Sequence, residues 1–151
     1  MKGFFMIFFY SFLSTSLLLA QPRADSLSKA MTGLYGKEKL ILQHKLTQEY
    51  FKVKDYKKAL QIAKQATALA EQIIVEGNDL VSPADSYLKP TTYFLMGKAF
   101  YFRSQFSYAR EYFEMAINGS IALNSEDYVE LSQRYLETIE ENYEVSDKKF
   151  F

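Results

Sequence analysis

The chain carries one imidazole, His44, and no thiol, so the side chains that most often do acid–base or nucleophilic chemistry are almost absent. A hydrolytic triad would have to be built on His44. That residue stands between Leu42-Gln43 and Lys45-Leu46, with no serine and aspartate signature around it. Zero cysteine excludes a disulfide scaffold, a Cys-ligated zinc or iron–sulfur site and a lipid-modified cysteine near the N-terminus. A lone histidine excludes a His-cluster metal site within one chain. Phosphate-binding glycine loops, paired zinc-ligating histidines and a nucleophile elbow do not occur as motifs. No catalytic residue, metal or cofactor is therefore expected, and the chain does not read as an enzyme. Asn118-Gly119-Ser120 matches a glycosylation acceptor, but an Asn-Gly pair after an apolar helix is more economically a C-terminal cap, and it is read so here.

What remains is binding. With 18 Lys+Arg against 18 Asp+Glu the formal charge is zero, which removes any bulk electrostatic reason to expect nucleic acid or an anionic membrane. Aromatic residues are the excess, at 17%. The segments that carry these rings have helical composition. Residues 37–76 contain neither proline nor glycine and are rich in Ala, Leu, Lys, Gln and Glu. Turn formers then gather between Asn78 and Ser86, before Pro90 or Thr91 opens the next helix. Gln105 interrupts a pattern, Asn118-Gly119 closes a helix, and Asn124-Ser125 caps the last one. No segment alternates with period two for long enough to make a strand, so the expected class is all-α.

An internal repeat organises these helices. Tyr93, Met96, Gly97, Phe100, Phe106, Ala109, Phe113 and Ala116 set a pattern that Leu46, Thr47, Tyr50, Tyr56, Ala59, Ala63 and Ala66 repeat in the same register. Tyr128, Leu131, Ser132 and Tyr135 begin a partial third copy. Small residues let two antiparallel helices approach, with Gly97 and Ala109 as the crossing points, and large residues fill the adjacent hollows. The pattern resembles the tetratricopeptide repeat. A generic bundle of helical hairpins is the alternative. The expected order is an N-terminal cap over 21–36, helix pair 1 over 37–77, a connection over 78–89, pair 2 over 90–123, a capping or partial third helix over 124–145, and a tail over 146–151. The last helix is acidic with one apolar stripe of Tyr128, Leu131, Tyr135 and Ile139. Leu27, Met31 and Leu34 would form a short covering turn at the other end. Ala59 and Ala109 lie 50 residues apart, against about 34 in adjacent repeats, so a lengthened second helix and a connection separate the pairs.

The resemblance implies a concave groove lined by the first helix of each pair. Carried over residue by residue, it assigns Ile41, His44, Gln48, Phe51 and Lys52 in the first pair and Thr91, Phe94, Lys98, Tyr101 and Phe102 in the second. Val129, Gln133 and Leu136 extend it. His44, Gln48, Phe51, Lys52, Phe94, Lys98, Tyr101 and Phe102 are the core of this peptide-binding expectation. The alternative is that Phe94, Tyr101 and Phe102 pack beneath a neighbouring element. His44 and Gln48 stand where chaperone-binding members carry Lys and Asn, so acidic chaperone tails are not expected ligands.

Phe4 to Ala20 is uncharged and holds five Phe and four Leu after Lys2, which reads as an export signal cleaved after Ala20. The alternative is an uncleaved membrane anchor. Either places residues 21–151 outside the cytoplasm, in a periplasm or extracellular space. The resulting expectation is an exported adaptor for a protein or peptide partner. An extracytoplasmic sensor module, which the repeat and its flanks also resemble, and a cell-envelope assembly scaffold are the alternatives. A lysine-rich first pair and an acidic last helix allow weak head-to-tail self-association, or are simply two solvated faces.

Overall fold

The computed structural model describes residues 22–75 and 85–148. They form helices α1 (22–30), α2 (Gly36–Lys52), α3 (Tyr56–Val75), α4 (Leu88–Tyr101), α5 (Phe106–Ala122) and α6 (Val129–Lys148). No strand occurs among the described residues, so the class is all-α. Residues 1–20, where the export segment was expected, lie outside them.

Helices α2, α4 and α5 end in one shared backbone device. A residue with positive φ follows each: Lys54 at 58°, Ser104 at 56° and Asn124 at 51°. The next residue's N–H then reaches back to a carbonyl in the last turn. Asp55 bonds to Tyr50, Gln105 to Phe100 and Ser125 to Ser120, each at 3.0 Å. This closure satisfies carbonyls the helix end leaves free, at a backbone cost of about 1–2 kcal/mol for a non-glycine residue. After the first turn, Asp55 caps α3 by accepting the Lys58 N–H on Oδ1 at 3.1 Å.

Asn118-Gly119 does not close α5. The helix runs on to Ala122, and Asn124 takes the left-handed position expected of the earlier pair. Gly119 instead faces Pro90 at the start of α4, where a β-carbon would lie 3.4 Å from Cβ of Pro90, an ordinary van der Waals contact. The acceptor triplet thus sits inside a helix, with Ser120 fully buried.

The two long hairpins follow from their short turns. In the second, Pro90 lies beside Gly119 while Phe100 stacks on Tyr108 at 5.1 Å, so α4 and α5 run antiparallel. They pack tightly at Gly97, where a β-carbon would lie 2.8 Å from Cδ1 of Phe113 and 3.2 Å from the Ala109 carbonyl oxygen. Ala109, Phe113 and Ala116 are completely enclosed. In the first hairpin, Leu46, Thr47, Ala59, Ala63 and Ala66 are buried. Thr47 and Ala63 stand where the second hairpin has Gly97 and Phe113. The larger side chain moves to the first helix and the smaller to the second, which offsets part of the volume lost with the ring.

Helix α4 packs against α2, α3 and α5, and its rings reach α6. Every residue from Pro90 to Gly97 is buried, so α4 has no single apolar face; an all-round apolar helix is a central one. Helix α6 turns Ser132 and Ile139 inward, with Tyr128, Tyr135 and Leu136 packed on the same core. Leu131, expected on that stripe, is 43% exposed because it falls one position beside the 128–132–135–139 line. At the N-terminal end Leu27, expected in a covering turn, lies in α1, while Met31 and Leu34 follow that helix; α1 is anchored by buried Ala24 and by Arg23, which lies 3.6 Å from Glu49 of α2. None of the described helices is long and apolar enough to cross a membrane.

Candidate functional site

The residues expected to line a groove divide into two sets. His44 is buried, and its Nε2 lies 2.8 Å from Oγ1 of Thr92 on α4. The Thr92 hydroxyl donates its only proton to the Leu88 carbonyl at 2.7 Å, so its oxygen accepts from His44, which therefore carries its proton on Nε2. Burial pulls the imidazole pKa from 6.5 down to about 4, keeping the ring neutral at neutral pH. His44 is thus a polar tie between α2 and α4, and its assignment to an open groove is corrected: α4 covers it. Phe94 is corrected likewise. It is 8% exposed and packed among Phe113, Tyr128 and Tyr135 at ring distances of 5.9, 5.0 and 6.1 Å. Thr91 is also buried, with its hydroxyl 3.0 Å from that of Tyr128, and Leu136 packs against the same core. Docking of α6 removes this end of α4 from the surface.

Phe51, Lys98, Tyr101 and Phe102 come together instead. Phe51 and Phe102 meet at 5.9 Å, and Tyr101 meets Phe102 edge-on at 5.5 Å. Tyr101 reaches Tyr135 of α6 at 4.9 Å. Tyr56, which the groove assignment left out, stacks on Phe102 at 4.7 Å with planes 4° apart. Five rings thus run from the start of α3, across the ends of α2 and α4, to α6. The Lys98 ammonium sits 4.8 Å above the Phe51 ring, a cation–π contact. Burial lowers its pKa, and no carboxylate lies within ion-pair distance of it among the described residues. Gln48 and Lys52 are exposed beside this surface, Lys52 being held by Glu49 at 2.7 Å.

Phe102 and Tyr56 continue into an open cleft of about 400 Å³ between the α2–α3 and α4–α5 turns, which Lys54, Asp55, Lys57 and Arg103 also line. Asp55 is its one carboxylate, and both of its oxygens are engaged. Oδ1 takes the Lys58 N–H, and Oδ2 lies 3.2 Å from the Lys58 ammonium, whose pKa it raises. Lys54, Lys57 and Arg103 make no ion pair among the described residues. Sequence reading counted Lys54 and Lys57 within a lysine-rich stretch. It had no signal for their meeting Arg103, which sits in another turn.

The surface offers ring faces, a half-buried ammonium and a cationic cleft, the means of noncovalent capture. No group of three or more His, Cys, Asp or Glu able to hold a metal ion occurs among the described residues. Compared with protein-family models, curated proteins and solved structures, the chain finds no match in any of the three.

Proposed function

We propose that the chain is an exported adaptor of tetratricopeptide type that holds a protein or peptide partner against Phe51, Lys98, Tyr101 and Phe102. The observation that carries this reading is Lys98: a half-buried ammonium with no carboxylate at ion-pair distance among the described residues, set among rings that are only partly covered. A lysine that serves only solubility keeps its head in water. The repeat reading draws support from register. Tyr128, Leu131, Ser132 and Tyr135 follow Tyr93, Met96, Gly97 and Phe100 by 35 residues, close to the about 34 of that repeat, and ring pairs Phe94–Tyr128 and Tyr101–Tyr135 join the two segments. Export rests on the N-terminal composition alone.

Capture experiments with the full chain test the binding role. A partner recovered by the unaltered protein, and shown to bind it after purification, is expected to be lost with Phe51→Ala and Tyr101→Ala. Retention of every such partner by both variants, with helicity unchanged, rules out the ring surface. Fractionation of an epitope-tagged chain tests export, and a full-length cytoplasmic product contradicts it.

A further inference from the structure

The cleft between the two turns has a composition that the ring surface alone does not explain. Lys54, Lys57 and Arg103 are exposed and unpaired among the described residues, around a stacked Tyr56–Phe102 pair whose Phe102 is 38% exposed. The one carboxylate present, Asp55, is spent on the α3 N-terminus and on Lys58. Three cations thus line one open concavity against a single carboxylate, which leaves the cleft cationic.

We infer that this cleft receives an acidic segment of a protein partner, with carboxylates on Lys54, Lys57 and Arg103 and an apolar side chain against Tyr56 and Phe102. The inference rests on the adaptor reading and names the chemistry of what the surface holds. Guanidinium–carboxylate pairing supplies direction, and the ring pair supplies apolar area. A nucleic-acid strand is the poorer occupant. Strand binding needs a basic groove that tracks the backbone over several nucleotides, whereas beyond this cleft Lys52 and Arg23 are already committed to Glu49, and the whole chain has zero formal charge.

The test uses the full chain and fluorescence anisotropy with a labelled synthetic peptide of alternating glutamate and phenylalanine. The comparison probes are a lysine–phenylalanine peptide, a glutamate–serine peptide and an oligothymidylate. The glutamate–phenylalanine peptide is expected to bind most tightly, to weaken with salt, and to lose at least about ten-fold in affinity with Lys57→Glu/Arg103→Glu. Both sites are exposed, and a thermal melt checks that the variant folds. Absence of binding, equal binding of the lysine peptide, tighter binding of the oligothymidylate, or indifference to charge reversal each overturns the inference. Loss of the peptide in Phe51→Ala and Tyr101→Ala but not on charge reversal leaves the ring surface standing and the acidic chemistry wrong. The opposite pattern leaves the cleft standing and removes the ring surface.

Discussion

Gly97 of α4 and Phe113 of α5 meet with no room for a methyl group between them: a β-carbon on Gly97 would lie 2.8 Å from Cδ1 and 3.0 Å from Cε1 of the ring. The ring cannot retreat easily, because it is fully buried and stacked on Tyr135 at 4.8 Å. Gly97→Ala is therefore expected to destabilise by about 1–3 kcal/mol, although alanine is the better helix former by about 1 kcal/mol. Urea unfolding measures it. A gain in stability would show that the two helices do not cross at this position.

His44 makes stability depend on pH. Its folded pKa, about 4, lies below the ordinary 6.5, so the unfolded chain binds the proton more readily. The contribution is fully present above pH 6.5, is lost as pH falls toward 4, and changes no further below that. The full loss is on the order of 3 kcal/mol. Urea midpoints at pH 7 and pH 4.5 are expected to differ more for the unaltered chain than for His44→Gln. Equal differences would mean that carboxylates alone account for the acid sensitivity.

Replacing Lys98 by Met keeps the stem over Phe51 and removes a charge that burial disfavours. Stability is expected to stay within about 1 kcal/mol or to rise, while partner affinity falls. A large destabilisation with undiminished binding would make Lys98 a structural residue.

Asp55→Ala removes the cap on α3 and should cost about 0.5–2 kcal/mol in an unfolding titration. The same change deletes the only carboxylate of the cleft, so affinity for the glutamate–phenylalanine peptide is expected to increase. Weaker binding would place Asp55 among the ligand contacts.

Local signals carried much of this protein. The composition of residues 37–76 and the spacing of Gly97, Phe100, Ala109, Phe113 and Ala116 are sufficient for helices and for their pairing, because periodicity and small size act between neighbours in one hairpin. Asn118-Gly119 shows where local signals stop: the pair has the composition of a helix end, yet α5 continues to Ala122 and Asn124 takes the left-handed position. What covers a side chain is decided by elements far away in the chain. The packing of α4 on α2 buries His44 against Thr92, and Phe113 of α5 with Tyr128 and Tyr135 from the last helical segment encloses Phe94. The cleft likewise exists because two turns 50 residues apart stand side by side, bringing Lys54 and Lys57 to Arg103. Residue types settled which helices could pair, whereas exposure, protonation and the meeting of cations depend on distances that exist only once the helices have docked.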